Sequence, residues 1–245
     1  MKTYEFEYKL EGEGKPVVLL HGLIGNLEIM ASTADFLASK GFKACRVSYP
    51  PEKFTLEGYA DALVRMLDSI GISKFVMFGT SMGGYVAQIV ASKHPNRLDG
   101  LVLANTFASF REFKRKRGLM MRLSHLVPAK FLFAYFEREF RKTYSQDEVE
   151  VLMGFVRKVG KKPLVARLKA LANAPDTVRF DKKFPVAVFS GKDDPTITED
   201  VLLELKRAAS PDFFYVFSTG RHFPYLFAKE EFNSKLLEFL KTVWG

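Results

Sequence analysis

The stretch Phe75-Val76-Met77-Phe78-Gly79-Thr80-Ser81-Met82-Gly83-Gly84, an apolar run that ends abruptly in small residues, constrains this chain most. Lys74 to Phe78 is short, apolar and β-favouring, which predicts a strand buried on both faces. Met82 to Lys93 sets Val86, Ile89 and Val90 at helical spacing. Ser81 therefore sits at a strand-to-helix joint. The pattern Gly79-x-Ser81-x-Gly83 fits a nucleophile elbow, in which small neighbours let strand and helix pass closely while a strained serine projects its hydroxyl. Its place at a helix start adds unpaired N–H groups and the positive end of the macrodipole, both favourable to developing negative charge.

Around that joint the chain alternates. Thr3 to Glu11 has the period-2 pattern of a half-exposed strand, Val17 to Leu20 and Lys43 to Val47 are short apolar strands, and Glu28–Ser39 and Leu56–Ile70 are helical. Leu101 to Ala104 is a fifth strand. Strands separated by helices of this length predict a mostly parallel sheet with both faces covered. From Phe107 to about Ala174 only helical patterning appears, broken near Pro128, Ser145 and Pro163. The alternation then resumes with strands at Phe184–Ser190 and Phe213–Phe217 and helices at Glu199–Ala208 and Glu230–Val243. The expected organisation is a core of residues 1–106 and 176–245 with a helical lid, 107–175, over the carboxyl edge of the sheet.

Charge divides the chain in the same way. Of 37 Lys+Arg and 28 Asp+Glu, residues 107–175 hold 16 and 6, and the remaining residues hold 21 and 22. A near-neutral body thus carries a basic insert. Bases on several helices without a recognisable nucleic-acid fold argue against nucleic-acid binding. The single cysteine, Cys45, the absence of an apolar signal core at the N-terminus and the lack of an apolar run of ~20 residues make a cytoplasmic location the expectation.

A serine hydroxyl needs a nearby base, and the base needs an acceptor that holds its tautomer. Four histidines allow elimination. His21 lies in a glycine turn, His94 ends a helix where a structural role suits it, and His125 is placed within the lid. His222 follows the last strand at the same sheet edge as Ser81, and is the base. The loop Gly191-Lys192-Asp193-Asp194-Pro195 offers two aspartates as its acceptor, between which chemistry alone does not choose. Asn105 and Thr106, at the other suitable strand end, are not carboxylates. Oxyanion donors are expected from the backbone N–H groups of Met82, next after the nucleophile, and Leu23, in the turn after the Val17–Leu20 strand.

His21-Gly22, Gly79-Thr80-Ser81-Met82-Gly83-Gly84, Gly191-Lys192-Asp193-Asp194-Pro195 and Gly220-Arg221-His222-Phe223-Pro224, in that order, resemble the α/β-hydrolase superfamily over nearly the whole chain outside the lid. The resemblance implies a sheet of about seven to eight strands with the lid inserted after the sixth-strand position, and Asp194 as the acid with Ser81 and His222. Many relatives have glycine where this chain has Arg221, a charge that either lowers the basicity of His222 or points outward. Leu103-Ala104-Asn105-Thr106-Phe107-Ala108-Ser109-Phe110 and Phe223-Pro224-Tyr225-Leu226 resemble maspardin more locally, a relative thought to act as a binding protein and lacking this histidine.

The expected activity is that of a serine carboxylesterase: cleavage of an ester or thioester through an acyl-enzyme, with no metal or organic cofactor implied. Apolar lid residues Leu119, Met120, Met121 and Leu126 suggest a hydrophobic acyl or alkyl group. Carbon–carbon bond hydrolases, lyases and perhydrolases share the same triad, whereas serine at the elbow argues against dehalogenase and epoxide-hydrolase types. The alternative from another class is a maspardin-like interaction module, in which the basic lid binds an anionic membrane or an acidic partner. Phe131, Leu132, Phe133, Tyr135, Phe136 and Phe140 alternate with Lys130, Arg138, Arg141 and Lys142 there. The plainer reading of that helix is an aromatic face over the site with its charges in water. Oligomeric state is not legible.

Overall fold

Four strands, Lys15–Leu20 (β2), Phe75–Thr80 (β4), Leu98–Ala104 (β5) and Val186–Gly191 (β6), bury every residue beyond their first two, so they fill the middle of one sheet. In the computed structural model, which describes residues 4–245, they lie side by side with Phe42–Val47 (β3), Phe213–Phe217 (β7) and Tyr8–Glu11 (β1). The order is β1-β3-β2-β4-β5-β6-β7. Every pairing is parallel except β1 with β3. Parallel neighbours need crossovers, and the helices that make them cover both faces.

Ala31–Ser39 (α1) packs with the last helix, Lys229–Trp244 (α10), while Leu56–Ser69 (α2) packs with Met82–Lys93 (α3). The chain therefore leaves the adjacent ends of β2 and β4 toward opposite faces. That divergence opens a crevice at the carboxyl ends of the strands, where α/β sheets place their ligands. The turn after β2 and Ser81 after β4 both stand there.

Several expected boundaries shift for local reasons. The first strand is regular only from Tyr8, and Thr3 lies outside the described residues. β4 continues through Gly79 and Thr80, β5 begins three residues early at Leu98, and β6 begins at Val186, after Pro185, which has no N–H to give a ladder. The helix expected from Glu28 opens as a 3-10 turn, Leu27–Met30. The sheet has seven strands, and the helical insertion follows β5, the fifth strand counted along this chain.

That insertion contains Arg111–Leu123 (α4), Ala129–Arg141 (α5), Gln146–Val159 (α6) and Lys161–Ala172 (α7). Pro128 and Ser145 break it as expected, the latter through a capping box with Glu148. The third break is at Gly160, whose φ of 75° suits glycine, and not at Pro163. Pro163 sits in the first turn of α7, where its missing N–H costs nothing. The two ends of the insertion are tied together by the Ser109–Thr177 bridge and by Phe110 N–H donating to Asp176 O at 2.8 Å. Glu199–Ala209 (α8) and the short helix Pro224–Phe227 (α9) complete the chain.

Candidate active site

Ser81 has φ 53° and ψ −119°, a left-handed backbone that a non-glycine residue holds only under constraint. The constraint is crowding. A methyl group at Gly79 would stand 2.3 Å from Gly83 O, so only paired glycines let β4 and α3 fold back on each other. Ser81 N–H donates to Ala104 O at 3.0 Å and Thr106 Oγ1 donates to Ser81 O at 2.7 Å, which pins the turn to the end of β5. Met82, the first residue of α3, has an amide with no carbonyl to donate to within the helix.

The turn after β2 passes directly over this serine: a methyl group at Gly22 would lie 3.1 Å from Ser81 Cβ and 3.7 Å from Oγ. Leu23 follows it. His21 itself is buried, its Nδ1 2.8 Å from Gly22 O and its ring edge-on to Tyr49. Burial, together with the nearby Arg167 charge, pulls its pKa down to about 3, so the ring is neutral. His94 pairs at the surface with Asp61 at 2.9 Å, and His125 is exposed, its Nδ1 3.0 Å from Arg122 O.

At the ends of β6 and β7 two side chains meet. Asp194 Oδ2 lies 2.7 Å from His222 Nδ1, both residues being buried. Asp193, with φ 55°, is exposed. Thr196 and Ile197 N–H donate to the other carboxylate oxygen at 2.7 and 3.0 Å. Burial pushes the Asp194 carboxyl up, but the His222 ring and the hydrogen bonds from Asn105 and Ile197 outweigh it and hold the group below the usual carboxylate range. No hydrogen bond joins Ser81 Oγ to the His222 ring among the described residues; such contacts often tighten only with substrate in place.

Asn105, set aside in the sequence for lacking a charge, lies at the centre of this arrangement. Fully buried, it donates from Nδ2 to Asp194 Oδ2 at 2.9 Å and to Arg221 O at 2.8 Å. Its φ of 45° is one asparagine tolerates, and that tolerance at a strand end was the available signal. Tyr144, which follows α5, receives the His222 backbone N–H at 3.1 Å. Arg221 points away from the imidazole, its guanidinium over the Tyr144 ring and 3.5 Å from Glu148. Its φ of 47° explains why glycine suits this position.

Arg167 of α7, counted in the sequence only as part of the basic insert, is buried. Its Nη1 donates at 2.7 Å to both Leu23 O and Gly25 O, and its Cζ lies 5.3 Å from the Tyr49 ring centroid. Burial brings its pKa down to about 10. The insertion thus holds the turn over Ser81 from one side and the His222 loop from the other. By contrast Leu119, Met120 and Leu126, which with Met121 suggested a hydrophobic substrate group, face solvent, and of the four only Met121 is buried. The aromatic ring against His222 is instead Phe223, on which Phe140 and Tyr144 pack.

Among the described residues no group of three or more His, Cys, Asp or Glu side chains could hold a metal ion. No helix there is long and apolar enough to cross a membrane.

A family model described as the alpha/beta hydrolase fold matches residues 15–153, more than half of the chain. The protein belongs to the alpha/beta hydrolase fold family. Among curated proteins it is 22% identical to (E)-2-((N-methylformamido)methylene)succinate hydrolase of Acinetobacter baylyi, over 96% of this chain and 94% of that one. It is also 22% identical to maspardin of Danio rerio, over 94% of this chain and 75% of that one. A carboxylesterase structure from Nitrososphaera gargenis superposes with a TM-score of 0.83 at 20% identity, covering 97% and 94% of the two chains, which speaks to the fold alone.

Proposed function

We propose that this alpha/beta hydrolase family member is a serine hydrolase that cleaves a carboxylic ester or thioester through an acyl-enzyme on Ser81. The observation that carries the reading is the 2.7 Å contact between His222 Nδ1 and Asp194, at the sheet edge where Ser81 stands in its strained elbow. With Nδ1–H donated to Asp194, Nε2 is left as the free base. Ser81 Oγ attacks the carbonyl carbon while Nε2 takes its proton. The carbonyl oxygen, now negative, accepts from the N–H groups of Leu23 and Met82, each such donor lowering the barrier by about 3 kcal/mol. The intermediate collapses, and His222 returns the proton to the departing alkoxide or thiolate. A water, deprotonated by the same nitrogen, then attacks the acyl-enzyme and releases the acid and Ser81.

Hydrolase-named relatives support the general class. The Phe223 ring beside His222, with Phe140 and Tyr144 packed on it, favours a hydrophobic acyl or alkyl group, and the helical insertion acts in this reading as a lid. The maspardin-like alternative without catalysis is disfavoured by the His222–Asp194 pair. Carbon–carbon bond cleavage and perhydrolysis on the same residues are separated from ester hydrolysis by substrate. The test is a panel of nitrophenyl esters and thioesters of graded acyl length, assayed with wild type and Ser81→Ala. Turnover by wild type that Ser81→Ala abolishes is the expected result; equal turnover by both would refute the nucleophile.

A further inference from the structure

Helix α4 packs on α7, and its inward side runs through Lys114, Gly118 and Met121, of which only Met121 is buried. Leu119, Met120 and Leu123 lie together on the outer side, Leu126 extends that side through the turn, and Phe131 follows on α5. Leu119, Leu126 and Phe131 expose 72%, 68% and 57% of their surface. Single exposed apolar residues are ordinary, but five in one short stretch mark an interaction surface.

The charge around them is of one sign. From Phe113 to Phe136 the chain has six Lys and Arg and no Asp or Glu. Toward the end of α5 the bases have acids beside them, Arg138 and Lys142 sharing Glu139 and Arg141 meeting Glu137. On α4 Lys114 pairs with Asp176 and Arg115 with Glu112, whereas Lys116 and Arg122 of α4 and Lys130, in the first turn of α5, pair with no acid among the described residues. Lys130 instead lies 4.9 Å over the exposed Phe131 ring.

We propose that this face docks on an anionic lipid surface, the five apolar side chains entering the boundary between headgroups and acyl chains while the unpaired bases meet the headgroups. Apolar area beside unpaired bases is the combination that holds an amphipathic helix in a membrane interface. Flexible Leu, Met, Lys and Arg side chains conform to a fluid surface, whereas a folded acidic partner demands shape complementarity. The assignment does not depend on which residue is the nucleophile.

The experiment is co-sedimentation of the whole protein with phosphatidylcholine vesicles, with and without about one-third phosphatidylserine, at low and high salt. Wild type should bind the anionic vesicles at low salt and lose them steeply as salt rises. Each base near such a surface contributes about fivefold, so Lys116→Gln, Arg122→Gln and Lys130→Gln together should weaken binding by about 100-fold. Leu119→Ser, Leu126→Ser and Phe131→Ser together should weaken it at least about tenfold at unchanged charge. All these residues are on the solvent side, so circular dichroism and thermal unfolding should be unaltered and establish that the variants fold. Absence of wild-type binding at low salt would overturn the proposal and leave an acidic protein as the candidate partner. Unweakened binding by the serine variant would overturn insertion, and a dimer abolished by that variant, without vesicle binding, would give the face to a second copy.

Discussion

Replacing Asn105 with alanine removes a side chain that exchanges no proton in the proposed reaction yet touches both loops that carry its proton-handling groups. Two hydrogen bonds disappear, one to the Asp194 carboxylate at 2.9 Å and one to Arg221 O at 2.8 Å, both in a fully buried setting. A bond to a charged acceptor contributes about 1.5–3 kcal/mol and a neutral one about 0.5–1.5 kcal/mol. Alanine at φ 45° adds about 1 kcal/mol of backbone cost that asparagine largely avoids. The sum is at least about 3 kcal/mol, which for a chain of this length lowers the unfolding midpoint by roughly 6–12 °C. Activity should fall less than stability suggests, since Thr196 and Ile197 still hold the other carboxylate oxygen. A fall of about tenfold in kcat corresponds to losing about 1.4 kcal/mol of positioning. Urea unfolding and the pH profile of kcat/KM read the two quantities separately. Stability within about 0.5 kcal/mol of wild type would refute the idea that Asn105 ties the β5, β6 and β7 loops together.

Asp194→Asn should reduce kcat by about 10³- to 10⁴-fold through the wrong imidazole tautomer, whereas Asp193→Asn, at the exposed neighbour, should leave it unchanged in the same ester assay. His21 is neutral when folded, with its pKa near 3 against about 6.5 unfolded, so the unfolded chain binds the extra proton. Stability from this group is complete above about pH 6.5 and is lost by about 1.4 kcal/mol per pH unit as pH falls toward 3; His21→Asn should flatten that part of a stability–pH curve. Asp194 acts in the same direction at lower pH, its contribution being present above the unfolded carboxyl value and lost as pH falls through the folded one. Arg167→Met leaves the Leu23 and Gly25 carbonyls without their buried donor, and should lower kcat with little change in KM if the turn carrying the Leu23 amide loosens.

The sheet was legible because strands buried on both faces read as apolar runs, and the elbow because its glycine-serine-glycine pattern, common by itself, falls between a readable strand and a readable helix. His222 and Asp194 followed from loop position and family pattern. What escaped the sequence were the residues acting through shape. Asn105 lacks a charge, Tyr144 lies within a helical block, and Arg167 looks like any other base of a basic insert until its burial is known. Leu119 and Leu126 misled for the opposite reason: periodicity shows that a helix has an apolar side but not whether anything covers it. Arg221 is the intermediate case, its charge visible and its direction, toward Glu148, set only by the left-handed backbone and the packing of α6.

Reaction with a fluorophosphonate, followed by intact mass and peptide mapping, tests the proposed chemistry most directly. It requires an activated serine, a working base and oxyanion donors at one point, and it needs no knowledge of the natural substrate. One adduct per chain, located on Ser81, slowed by orders of magnitude in His222→Ala and absent in Ser81→Ala, is the predicted result. An unreactive Ser81 in correctly folded wild type, or an adduct that persists in Ser81→Ala, would contradict it.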